Sequence, residues 1–173
     1  PTPSPITTPP PQRSTGKRAP ASSCAASSRL LEPPGPRSIR IGAAISQVLA
    51  EEGAVPVILA RRAPEAGFLE RLQARAPQAG FVQVNLASDE GCWAAVDEVH
   101  RRWGPVWGLV NNAGSNDGVG LEAGPEAFRA SLDQNLLHYY TLTHLLQDDL
   151  KAGPGAIVNI SSKTAVTGQG RTS

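Results

Sequence analysis

Leu109-Val110-Asn111-Asn112-Ala113-Gly114 is the stretch whose reading decides the fold of this chain. Val106 to Val110 is a short apolar run with the length of a buried strand, and it closes on small residues that let a ligand approach the backbone. Upstream, Ser88 reads as the cap of a helix with Trp93, Val96, Val99 and Trp103 on one face. Before it come a strand at Phe81, Val82 and Val84, a helix marked by Phe68, Leu69 and Leu72, and a strand from Val55 to Leu59. Pro56 is tolerable there only because it lies near the strand start. Gly42 to Gly53 reads as a helix with Ala44, Ile45, Val48 and Leu49 on one face and Gly53 as its stop. Downstream, a long amphipathic helix is expected from about Pro125 to Leu150, carrying Phe128, Leu132, Leu136, Tyr139, Leu142, Leu146 and Leu150, followed by a last strand, Ala156 to Ile160. Strands alternating with helices imply βαβ units, a parallel sheet and helices on both faces. The expected fold is therefore α/β, a Rossmann-type doubly wound sheet with its ligand crevice at the carboxyl ends of the strands.

Composition narrows the function classes. The chain has 173 residues and a formal charge of +1. Residues 1–40 carry six basic groups and one acidic group, and the remainder carries ten basic and fourteen acidic groups. A mildly acidic body argues against nucleic acid as partner. Cys24 and Cys92 lack metal-ligand spacing and form no disulfide framework, so no metal is expected and a reduced, cytoplasmic setting is the simpler reading. No apolar run reaches the ~20 residues of a membrane span. Residues 1–36 hold ten of the sixteen prolines and show no apolar period. Residues 1–40 are thus expected to be a disordered Pro/Ser/Ala/Arg-rich segment, and 41–173 a partial dinucleotide-binding domain. The absence of methionine and the wealth of Ala, Gly, Pro and Arg read as an internal piece of a longer gene product.

Three motifs fall at or near the strand ends. Asn111-Asn112-Ala113-Gly114 alone is a turn or a ligand loop. Asn135, between Leu132 and Leu136 on the helix, alone is a satisfied core amide. Ile160-Ser161-Ser162, after Ala156-Ile157-Val158-Asn159, alone is a cap or a turn.

Taken in order, these motifs resemble the short-chain dehydrogenase/reductase family over about residues 41–173. Asn116-Asp117-Gly118, His138-Tyr139-Tyr140 and Ser162-Lys163-Thr164-Ala165-Val166-Thr167-Gly168-Gln169-Gly170 carry a narrower resemblance to sugar dehydrogenases of the L-fucose dehydrogenase type. The resemblance implies an NAD(P)-dependent oxidoreductase acting on a sugar or other secondary alcohol or carbonyl, commonly assembled as a homotetramer. It assigns Asn112, Ala113 and Gly114 to the cofactor, Asn135 to the holding of a proton-relay water, and Ser162 to the reacting oxygen. Gly42 with Ile41 matches the end of the glycine turn, and Asn85 with Leu86 the adenine-contacting pair. Asn116, Lys163 and Gln169 are the substrate-side candidates. The family's catalytic tyrosine and lysine would stand at positions 175 and 179. Tyr139 and Tyr140 are not substitutes and are expected in packing contacts.

The chain departs from the family at its glycine turn. Pro36 and Arg40 replace two glycines, and Ser27 to Pro34 is no buried strand. The first strand and the glycine motif are therefore expected to be degraded and the C-terminal strands absent, and the chain is expected to be a poorly folded, inactive fragment. A shifted reading frame upstream of Ile41 accounts for both N-terminal departures. For the cofactor, Ala60-Arg61-Arg62 after the second strand tilts the choice from NAD toward NADP, because arginine pairs with a 2′-phosphate. The bland alternative is a solvated basic turn. A non-catalytic dinucleotide binder or a defective gene product is the competing functional reading.

Overall fold

The computed structural model describes residues 23–27 and 41–167. Five parallel strands form one sheet in the order β3-β2-β1-β4-β5, comprising β1 (Ser23–Ser27), β2 (Val55–Ala60), β3 (Gly80–Gln83), β4 (Val106–Asn111) and β5 (Ala156–Asn159). The helices are α1 (Ile41–Glu51), α2 (Phe68–Gln73), α3 (Asp89–Trp103), α4 (Gly124–Leu132), α5 (His138–Leu145), α6 (Gln147–Ala152) and α7 (Thr164–Thr167).

β2 shows why two helical layers are needed. Its residues are all buried, and successive side chains point to opposite faces. Ile58 and Ala60 pack with Ala50, Phe68, Leu72, Ala76 and Ala79 under α1 and α2. Val57 and Leu59 pack on the other face with Cys92, Val96 and Val99 of α3, Leu142 of α5 and Leu146. Pro56 lies ahead of the β2–β3 ladder, which begins at Val57↔Gly80, and opposite Cys24 of β1.

The expectation that no strand precedes Ile41 is corrected. Ser23–Ser27 is the central strand, paired with β2 from Ser23↔Val55 to Ser27↔Leu59 and with β4 from Cys24↔Gly108 to Ser27↔Asn111. The sequence Ser-Cys-Ala-Ala-Ser has no β-branched residue and so carries no strand signal of its own. Its neighbours supply the bulky apolar surface, and β1 supplies a backbone ladder on both sides. These five residues therefore belong to the sheet rather than to a disordered segment. The replaced glycine turn at Gly35–Arg40, the remainder of residues 1–40 and Gln169 lie outside the described residues.

The long helix also differs. It is interrupted by a π-helical turn at Asp133–Leu137 and breaks again at Leu146, whose φ/ψ of −97°/4° leaves the helical range. The extra residue of a π-turn rotates the helix face. Only the second half of the expected stripe is core. Leu142 and Leu146 are fully buried, whereas Phe128 and Leu136 are about half exposed. Trp93 and Val48, expected on inner faces, are exposed as well. β5 is exposed at every residue.

Candidate active site

The carboxyl ends of β2, β3 and β4 open on one pocket, lined by Ala60, Arg61, Val84, Asn85, Leu86, Ala87, Ala113, Gly114 and Gln134. Five of these, Arg61, Asn85, Leu86, Ala113 and Gly114, are among the eight cofactor-side residues picked out in the sequence, whereas Ile41, Gly42 and Asn112 do not line it. The parallel register brings them together, because β2, β3 and β4 end on the same side. Gln134 was missed. It lies in the π-turn, and a helix period gives no sign of that turn.

Each wall is fixed locally. Val84 N donates to Ala60 O at 3.0 Å, and the Gln83 amide donates to Arg61 O at 3.1 Å, so the ends of β2 and β3 are tied side by side. Ser88 caps α3 as expected, its Oγ accepting from Gly91 N at 3.0 Å. Gly91 is required by close approach, since a Cβ there would stand 2.3 Å from the Asn85 carbonyl oxygen. Leu86 is buried beneath the pocket, while the Asn85 and Arg61 side chains reach solvent.

The loop after β4 is held by the π-turn. Ser115 N donates to Asn135 Oδ1 at 2.6 Å, and Asn135 Nδ2 donates to Asp117 Oδ2 at 3.1 Å and Ser131 Oγ at 3.4 Å. A hydrogen bond also joins the Gln134 amide to Ser115 Oγ. The Asn135 amide is therefore satisfied by groups of the loop and its own helix. Gly114 packs closely against it, with space for a Cβ only 3.3 Å from Asn135 Oδ1. Asn112 is half-buried beside Ala113. Asn116 is exposed and accepts from Gly118 N at 3.2 Å, so its side chain shapes its own loop.

On the neighbouring strand, Ile160 N donates to Asn111 O at 2.8 Å and Asn111 Nδ2 donates to Asn159 Oδ1 at 2.9 Å. These bonds set the end of β5 beside the end of β4. Ser162, two residues on, is exposed, and Lys163 follows at the start of α7. Ile41 is exposed at the first turn of α1. Gly42 is buried, and its carbonyl accepts from Ser46 Oγ at 2.9 Å.

The tyrosines divide. Tyr139 packs edge-on against His138, with ring centroids 4.8 Å apart, and its hydroxyl donates to Ile160 O at 3.1 Å. Burial pushes its pKa up, which keeps the phenol protonated. Tyr140, also expected in packing, is instead 75% exposed and stacks on His144. His138 is buried. Its Nε2 lies 3.2 Å from Ala113 O, and desolvation lowers its pKa against the opposing pull of the Asp133 and Ala113 carbonyls. The Cys92 thiol is pushed up to about 11, first by burial and then by Asp89, which makes it an inert core group.

Among the described residues no cluster of three or more His, Cys, Asp or Glu side chains is disposed to hold a metal, and no helix is long and apolar enough to cross a membrane.

A family model described as short chain dehydrogenase matches residues 38–173. L-fucose dehydrogenase of Bos taurus is 33% identical over 131 residues, covering 75% of this chain and 47% of that protein. The crystal structure of the Cj0485 dehydrogenase superposes with a TM-score of 0.75 at 32% identity, covering 88% of this chain and 56% of that one. L-sorbose reductase from Gluconobacter frateurii, solved with NADPH and L-sorbose, superposes with a TM-score of 0.70 at 27% identity, covering 88% of this chain and 57% of that one. The chain spans about half the length of the curated relatives it matches.

Proposed function

The chain belongs to the short-chain dehydrogenase family, and from that premise we propose that it forms the dinucleotide-binding part of an NAD(P)-dependent oxidoreductase for sugars or related secondary alcohols and carbonyls. The observation that carries the reading is the pocket at the ends of β2, β3 and β4, where Arg61, Asn85, Leu86, Ala113 and Gly114 converge.

The adenosine end of a dinucleotide fits these residues on their chemistry. Ala60, Leu86 and Ala113 offer apolar surface, the exposed Asn85 amide offers hydrogen bonds, and Gly114 leaves room beside the backbone. Arg61, exposed at the rim, supports NADP over NAD, because a guanidinium matches a ribose 2′-phosphate in geometry and charge. When bound, the nicotinamide would supply the hydride donor or acceptor. Ser162 would hydrogen-bond the reacting oxygen and orient it, and Asn135 would keep the Gly114–Asp117 loop in place beside it. Asn116 and Lys163 would face the substrate. The sugars named for two of the similar proteins fit a crevice rimmed by amide, hydroxyl and ammonium groups. Phe128, Leu136, Leu137 and Tyr140 are exposed along α4, the π-turn and α5, and that apolar surface supports assembly into homo-oligomers.

Nucleotide fluorescence titration tests the reading. NADPH and NADH should both saturate the chain, NADPH more tightly. Arg61→Ala should weaken NADPH by roughly tenfold, the worth of ~1.4 kcal/mol, and leave NADH within twofold. Equal losses for both nucleotides would refute the role of Arg61, and no saturation by either would refute the site.

A further inference from the structure

Directly after the turn that interrupts the long helix, α5 opens with two consecutive polar side chains directed at two different strands. His138 is 2% exposed, with Nε2 3.2 Å from Ala113 O beyond β4, and Tyr139 places its hydroxyl 3.1 Å from Ile160 O beyond β5. Consecutive helical residues diverge by about 100°, so one short segment reaches two strand ends at once. Neither carbonyl belongs to the ladder between the strands. Its pairing closes at Asn111↔Asn159, and its last bond is Ile160 N to Asn111 O. Past that point Ala113 and Ile160 have left the ladder, and His138 and Tyr139 tie each of them to the helix. A carbonyl only accepts, so the bond to Ala113 places the His138 proton on Nε2, and burying the imidazole carries a desolvation cost. A leucine would fill similar space without that polar cost, so the bond to Ala113 is what the imidazole contributes.

We propose that His138 and Tyr139 are a positioning pair that sets the spacing between the two halves of the site, His138 fixing the Ala113–Gly114 peptide of the dinucleotide loop and Tyr139 fixing the Ile160–Ser161 peptide that carries Ser162. The pair rests on the assignment of those two segments to cofactor and substrate. Holding a carbonyl oxygen fixes the peptide plane, and with it the N–H of the next residue, because the peptide unit is planar. The two ties act on separate strands, so their effects separate.

The test uses the whole chain, with backbone ¹⁵N order parameters and imidazole ¹⁵N shifts by NMR and NADPH affinity by fluorescence. Wild type should show the Nε2–H tautomer of His138, and the Gly114 and Ser161 amides should lie near the rigid value of about 0.85. Tyr139→Phe should drop Ser161 and Ser162 toward about 0.6 while Gly114 and the NADPH affinity hold within twofold. His138→Leu should loosen Gly114 and Ser115, leave Ser161 alone and weaken NADPH roughly tenfold, ~1.4 kcal/mol. His138→Gln, which keeps a donor, should recover most of both, and His138→Phe, which lacks one, should repeat the losses if the leucine variant does not fold. An Nδ1–H tautomer in wild type, or variants that loosen both loops equally or neither, would overturn the pair. If wild type binds no dinucleotide, the proposed function falls, and the order parameters and tautomer still decide whether the pair holds the two loops.

Discussion

At the residue scale, the site depends on groups whose polarity or size is tightly constrained. His138 is one. Its folded pKa lies below the ordinary 6.5 because burial disfavours the imidazolium. The unfolded chain therefore binds the proton more readily. The stabilising difference is complete above about pH 6.5 and is lost as pH falls through the folded pKa. Thermal melts between pH 5 and 7.5 should show a melting temperature that falls on acidification in wild type and falls less in His138→Gln. Parallel curves would contradict a buried neutral imidazole. Gly91 is another constrained residue. The carbonyl its added Cβ would strike belongs to backbone, which cannot swing aside as a side chain can. Gly91→Ala should cost about 1–3 kcal/mol of stability despite the better helix propensity of alanine, and it should weaken NADPH binding by displacing Asn85 and Leu86. An alanine variant with unchanged melting temperature and affinity would refute the close approach.

At the scale of elements, the opposite end of the sheet is anchored by Asp149 of α6. Its Oδ2 accepts from Val106 N at 2.8 Å and lies 2.7 Å from His100 Nε2, joining α3, α6 and the start of β4. Asp149→Ala leaves the Val106 amide without that acceptor and should cost about 1–3 kcal/mol, read as a drop in melting temperature with dinucleotide affinity unchanged. The elements also show what the sequence made legible. β2, β3, β4 and α3 announce themselves, because Val55–Leu59, Phe81–Val84, Val106–Val110 and the Ser88 cap obey simple period and capping rules. β1 does not, since Ser23–Ser27 is a strand by virtue of two neighbours rather than of its own side chains. The π-turn was hidden for a related reason. A helical period reads Phe128 to Leu150 as one stripe, and a single inserted residue turns Phe128 and Leu136 outward while leaving Leu142 and Leu146 in the core. The same turn concealed Gln134 at the pocket and the bond from Tyr139, a residue whose sequence context pointed only to packing.

At the scale of the whole molecule, parallel topology is what makes a site out of scattered residues. Segments 60–61, 84–87 and 113–114 are far apart in sequence, and each follows a strand that ends on the same edge. The motifs around Asn135 and Ser162 meet that edge through the π-turn and β5. β5 is the lightest part of this arrangement, exposed at every residue and tied to its neighbour mainly by the β4 ladder and the Asn111–Asn159 amide bond. The edge formed by β2, β3 and β4 is proposed to bind a nicotinamide dinucleotide. Amide hydrogen exchange with and without saturating NADPH tests it most directly. Slowed exchange is expected at residues 60–62, 84–87 and 112–116, with the Asp149 end of the sheet unchanged. Protection that misses these segments, or none at saturating nucleotide, would refute the site.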